Sequence, residues 1–398
     1  VGRNFAPATA SRGCGLLFAL VSNIEISEVV TARERKAFIK LPWQIYVGDP
    51  AWVPPLIIER KRFLDRKRHP FYQHGDAALF VARKAGSVVG RVMASDDRNY
   101  NALHESNVGC FGLFECVNDR RVARALFETA EGWLRNRGRS EMMGPIDYST
   151  NYICGLLIDG FQFPPAILTA HNPPYYRDLV ESCGFAKAKD WYGWWFADPS
   201  QARDNLRRIA ARFQKRRSGV VIRPADLRDL SSEASRLRQI FNEAWQKNWG
   251  FVPFSAAEIE FMARELKPFL IPEFAWVAEA EGQPVGFTLC LPDINVILRE
   301  LNGRLTRFGL PIGLIKLLLG SRRLKKGRLI ALGVVPKHRR TGVAEMLVLR
   351  VMEETMVKRG ISGELSMTLE DNVLINRFLQ AIGAQRYKTW RIYSKSIA

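Results

Sequence analysis

Residues 329–351 read LIALGVVPKHRRTGVAEMLVLRV, and their reading decides the fold. Residues 329–335 form a continuous apolar run with β-branched members, which suits a strand buried on both faces. Pro336 ends the run. A short cationic loop follows, 337–341. From Val343 the apolar positions fall on helical spacing, with Val343, Leu347 and Val351 on one row and Ala344, Val348 and Met352 on the next. Gly342 sits where loop becomes helix, so backbone there can approach a ligand closely. The first N–H groups of a helix have no partner within it, and they bind anions. Arg339 and Arg340 add fixed positive charge. The stretch predicts a strand, a phosphate-binding loop and a helix.

The chain around it has 398 residues, room for two or three domains. Six cysteines form no C-x-x-C pair and five histidines show no metal spacing. Free thiols in a reducing, cytoplasmic compartment and no metal site are expected. The net charge of +19 is concentrated: residues 199–218, 292–328 and 59–68 together carry 17 of it. Such stretches point to a polyanionic partner, whether CoA, an anionic membrane surface or nucleic acid. Ion-paired or solvated faces are the plain alternative, above all for 59–68. Residues 1–23 hold an apolar run too short to span a bilayer and are expected to form a disordered leader.

An internal repeat organises the rest. Val81-Ala82, Gly86 and Val89-Gly90 align with Val277-Ala278, Gly282 and Val285-Gly286 at an offset of 196. Glu131, Arg137 and Gly138 align with Glu353, Arg359 and Gly360 at 222, and Gly184 aligns with Gly383 at 199. The changing offsets place one insertion at 292–326 and another at 144–172. The expected organisation is a first copy at 24–198, a basic linker helix at 199–218 and a second copy at 219–398. Where the second copy has its cationic loop, the first has Glu115-Cys-Val-Asn-Asp-Arg-Arg-Val-Ala. It lacks the glycine and carries acids that repel a pyrophosphate.

Val334-Val335-Pro336 followed by Arg339-Arg340-Thr341-Gly342-Val343-Ala344 resembles the acyl-CoA pyrophosphate loop of the GNAT acyltransferases. The resemblance covers about 24–397. It implies an α/β (α+β) fold of two tandem GNAT-like domains, mixed central sheets flanked by helices. It also implies acyl-CoA as co-substrate, an amine acceptor and no metal. By the same resemblance, Val334, Val335, Arg339, Arg340, Thr341, Gly342, Val343, Ala344 and Asn372 are expected to hold CoA. The segments Leu41-Pro-Trp, Trp52-Val-Pro-Pro, Asn172-Pro-Pro-Tyr-Tyr and Glu364-Leu-Ser resemble a bacterial GNAT-like group, and the wider superfamily includes bacterial ceramide synthases.

Acyl transfer to an amine needs a base, a polarised carbonyl and exclusion of water. Residues 363–369 alternate as a strand, with Glu364, Ser366, Thr368 and Glu370 on one face. Glu370, at the strand end, is the first candidate for the base. Glu364 shares its face, and His171, in the first insertion, is the second choice. Leu379 stands where the family often carries a tyrosine acid. An N–H of Val334 or Val335 is expected to polarise the thioester.

The second insertion, 292–328, alternates Leu/Ile-rich helical segments near 294–307 and 310–319 with basic residues. This reads as an interfacial segment touching an anionic membrane, or as a lid. The expected reaction is N-acylation of a lipid amine such as a sphingoid base. The alternatives are acetylation of a small-molecule or protein amine, and a non-catalytic membrane or nucleic-acid binding protein. Nucleic acid is disfavoured, because the insertion is not aromatic-interleaved and no DNA or RNA module appears.

Overall fold

The computed structural model describes residues 24–198, 203–204, 207–208, 211 and 219–398. The expected leader at 1–23 lies outside them, as does most of the expected basic helix at 199–218.

Among the described residues thirteen strands form one sheet. The first half contributes β1 Ile24–Glu28, β2 Gly75–Lys84, β3 Ser87–Asp97, β4 Val108–Cys116, β5 Glu141–Gly144, β6 Leu156–Asp159 and β7 Ala186–Phe196. The second contributes β8 Val220–Pro224, β9 Ala275–Ala280, β10 Gln283–Pro292, β11 Lys326–Val334, β12 Ser362–Leu369 and β13 Gln385–Ser396. The spatial order is β1-β2-β3-β4-β5-β13-β7-β12-β11-β10-β9-β8, with β6 paired to β13. Neighbours are antiparallel except β4 with β5 and β11 with β12. Each half therefore repeats the same plan, but the last strands are exchanged. β13 lies between β5 and β7, and β7 lies between β13 and β12.

The repeat is visible in backbone detail. Gly86 and Gly282, Gly138 and Gly360, and Gly184 and Gly383 all adopt positive φ, pair by pair. The matched turns thus need the same residue in both copies. Helix starts also follow their local chemistry. Thr31 and Ser255 each open a helix through a capping box, with Glu34 and Glu258 reaching back to the cap.

Two sequence expectations shift. The first helix of the second insertion is short, Asn295–Leu301, rather than running to 307. Asn302 and Gly303 take left-handed backbone conformations and stop it. Gly303 lies against the Trp43 ring, whose Nε1 donates to Asn302 Oδ1 at 2.6 Å. Residues 190–196, whose Trp/Tyr-rich sequence reads as a strand, extend back to Ala186 as β7, because the strand pairs with β13 as well as β12.

Candidate active site

The loop between β11 and the helix Val343–Met352 is held by packing beneath it. Val334, Val335, Val343 and Leu347 are buried against Ile240, Val285 and Phe287. Each such side chain contributes roughly 1.5–3 kcal/mol. Gly342, the cap residue, has φ +85°, a conformation that side chains disfavour. The Arg339 guanidinium donates to Ala244 O and Val334 O, so it fastens the loop to the helix Leu230–Ala244. Lys337, Arg340 and Thr341 are exposed. The loop thus presents cations and the unpaired N–H groups of a helix start to solvent.

β11 and β12 pair over only four rungs, from Lys326↔Ser362 to Leu329↔Leu365, and then diverge. Beyond that point β11 keeps β10 on one side and has an open edge on the other. The Val335 N–H is spent on Val285 O at 3.0 Å. By antiparallel alternation Ile330, Leu332 and Val334 turn their backbone groups the other way, into the gap. Of the two N–H groups expected to polarise a thioester, only that of Val334 therefore faces the gap.

The gap opens into a largely apolar cavity of about 590 Å³ between the halves. The splayed strands line it with Ile330, Leu332, Leu365 and Met367, and the first insertion adds Asp147, Cys154 and Leu168. Asn372 lines the far side and caps the helix Val373–Ala381 through the Ile375 N–H.

The corresponding gap in the first half is closed. Ile146 N–H donates to Phe111 O at 2.7 Å, and Leu113 N–H to Asp147 Oδ1 at 2.9 Å. The segment 144–148 thus occupies the edge of β4. At the start of Arg120–Arg135 the Asp119 carboxylate caps the helix and pairs with Lys84.

Residues 234–383 match the Acetyltransferase (GNAT) family. The chain is 34% identical, over 94% of its own length and 98% of the other's, to a bacterial ceramide synthase of Caulobacter vibrioides. It is 35% identical to Protein YghO of Escherichia coli, over 91% and 93% of the two chains. The chain belongs to the GNAT acetyltransferase family. Its fold is also that of a solved tandem GNAT protein from the clavulanic acid biosynthesis pathway, with a TM-score of 0.55 over 94% of this chain and 99% of the other, at 13% identity.

This GNAT protein is accordingly an N-acyltransferase, with acyl-CoA as donor and an amine as acceptor. No group of three His, Cys, Asp or Glu able to hold a metal occurs among the described residues. No described helix is long and apolar enough to cross a membrane.

The candidate bases fall in three different places. Glu370 lies outside the cavity. Its carboxylate takes Lys187 Nζ at 2.6 Å and the Asp190 N–H at 3.1 Å, fastening the end of β12 to β7. The His171 imidazole is 5% exposed and also outside the cavity, with Nε2 2.8 Å from Asp49 Oδ2. Burial lowers its pKa against the opposing pull of Asp49. The Tyr46 hydroxyl donates to His171 O, and its ring stacks on Trp52. Glu364 does line the cavity and is fully buried. Its carboxylate accepts from Ser366 and Tyr387 hydroxyls and lies 3.2 Å from Arg328 Nε.

Leu379 packs against Met352, Trp194 and Phe196, so no hydroxyl stands at the family's tyrosine position. Tyr387, absent from the sequence reading, brings a hydroxyl to Glu364 from β13. Burial and the neighbouring Glu364 push its pKa up, so it stays protonated. Lys388 beside it is fully buried, donates to Pro164 O at 2.7 Å and is pushed down to about 8 by burial. Nothing in local periodicity marks these two, since their role arises from the exchange of β13.

Proposed function

We propose that this GNAT enzyme joins a long acyl group from acyl-CoA to the amine of a membrane-borne lipid, such as a sphingoid base. The observation that carries the reading is a continuous apolar path from the cavity to an exposed face of the second insertion. Leu266, Leu270, Leu289 and Ile330 line the cavity and belong to the cluster that buries Leu317. Leu317 lies on the helix Ile312–Ser321, whose other side exposes Ile315, Leu318 and Leu319. Phe308, just before it, is 87% exposed. Arg304, Arg307, Arg322 and Arg323 flank this helix in sequence and are exposed, and Lys316 on it is exposed and paired with Glu300. Apolar side chains flanked by cations suit an interface with anionic headgroups. The cavity lies within the ~300–1,000 Å³ span of ligand clefts and exceeds what an acetyl group requires.

In this reading the N–H groups from Gly342 to Glu345, with Arg340 and Lys337, receive the CoA pyrophosphate. Arg339, Thr341, Val343 and Ala344 shape that loop. The open edge of β11 through Val334 pairs with the pantetheine arm, and Asn372 borders the gap opposite. The Val334 N–H polarises the thioester carbonyl. Glu364, with Arg328 and Tyr387, holds the apex of the splay.

A CoA-release screen over acyl length and acceptor tests the reading. Long acyl-CoA with a long-chain amine is expected to give the highest kcat/KM. Thiol release confined to acetyl-CoA with soluble amines would overturn the lipid acceptor.

A further inference from the structure

We infer that Asp147 binds the acceptor's ammonium and takes its proton, so that the half without a cationic loop supplies the base. This rests on the amide-forming reading above. Five acids line the cavity: Glu59, Asp147, Glu233, Glu265 and Glu364. Four are already matched by cations of the protein. Glu59 pairs with Arg60, Glu265 with Arg62, Glu233 with Arg223 and Arg236, and Glu364 with Arg328. Among the described residues Asp147 has no ion pair. It is 7% exposed, and the hydrogen bond its side chain accepts comes from the Leu113 N–H. The nearest cations are committed elsewhere. Arg60 serves Glu59, and Arg91 donates to Phe38 O and lies 3.5 Å from Glu115. Arg60 and Arg91 act on Asp147 through space only, and a buried carboxylate open to a cavity without a paired cation is a site for a cationic ligand.

Two further groups describe that ligand. Asn151 Nδ2 and Trp191 Nε1 are buried, line the same cavity and have no partner. Both are donors, so they call for oxygen on the ligand. An amine carrying a neighbouring hydroxyl has the matching groups, an ammonium for Asp147 and an oxygen for such a donor. The site also lies near the splay. The Cys154 thiol, pushed up to about 12 chiefly by burial, feels the charges of both Asp147 and Arg328. Burial likewise raises Asp147 to about 6, which suits a base working near neutrality.

The step balances as follows. One ammonium proton passes to the Asp147 carboxylate. The freed lone pair attacks the thioester carbon, the C–N bond forms and the C–S bond breaks. A second N–H proton leaves with the thiolate as CoA thiol. Asp147 returns its proton to water when the amide departs.

Asp147→Asn keeps the oxygen that the Leu113 N–H needs and removes the base. With palmitoyl-CoA and sphinganine in detergent micelles, kcat/KM at pH 7 is expected to fall more than 100-fold while the Kd for palmitoyl-CoA stays unchanged. The deficit should shrink about tenfold per pH unit toward the acceptor's own pKa, because the variant must draw neutral amine from solution. Asp147→Glu should recover part of the rate at pH 7. Asn151→Ala should raise KM for sphinganine and leave hexadecylamine unaffected. A deficit constant across pH, or none, would overturn the assignment. If the wild type acylates only soluble amines, the lipid reading falls; the same pH comparison on that amine then judges Asp147 separately.

Discussion

Arg328 and Glu364 face each other as a buried ion pair, Nε to Oε1 3.2 Å, one rung before β11 and β12 part. Both are almost wholly out of water. Removing one partner strands the other charge, so Arg328→Met or Glu364→Gln is expected to cost about 3–5 kcal/mol in urea unfolding. The double variant Arg328→Met/Glu364→Gln should lose less than the sum of the singles. Additive losses would show that the pair is not coupled.

Gly342 tests the anion loop. Gly342→Asp places a side chain on a left-handed backbone and a negative charge at a helix start. Acyl-CoA affinity by calorimetry should weaken at least about tenfold, or ~1.4 kcal/mol. Gly342 is itself buried, so some loss of thermal stability is expected as well, and affinity is compared at a temperature where both proteins are folded. An unchanged Kd would move the CoA site elsewhere.

Phe308 and Leu319 test the apolar face. Both are exposed, so Phe308→Ser/Leu319→Ser leaves the core intact. Sedimentation with vesicles of phosphatidylglycerol should drop severalfold, with an unchanged unfolding midpoint. Binding that persists would place the membrane contact on another surface.

Asp147 should also reveal itself through stability. Burial holds its folded pKa at about 6, above the ordinary carboxylate value of roughly 3.9. Between those values the native state holds a proton that the unfolded chain has released. Stability from this group is therefore full below about pH 4 and declines as pH rises through about 6. Asp147→Asn, which cannot ionise, is expected to be more stable than wild type at pH 7.5, by at most ~3 kcal/mol. The advantage should vanish below pH 4, as followed by urea midpoints. A variant less stable at pH 7.5 would contradict the burial.

Much of the architecture is legible in the chain because it is local. The strand, loop and helix around Gly342, the capping box at Thr31 and the paired turn glycines each depend on residues a few positions apart. The site chemistry is less legible because it depends on distant partners. Alternation puts Glu364 on a shared face with Ser366, yet only the folded chain brings Arg328 and Tyr387 to it. Glu370 looks like a base at a strand end until Lys187, remote in sequence, takes its carboxylate. Asp147 sits in an irregular segment with no periodic signal, and its lack of a cation is a property of the cavity alone.

The exchange of β7 and β13 has a consequence for how the two copies can diverge. Each half of the sheet is completed by a strand that the other copy provides. Neither copy can be deleted, or cut free at 199–218, without leaving its neighbour with an unpaired edge in the middle of the molecule. A copy without a cationic loop therefore remains indispensable, the other's missing wall and a surface on which different chemistry can sit.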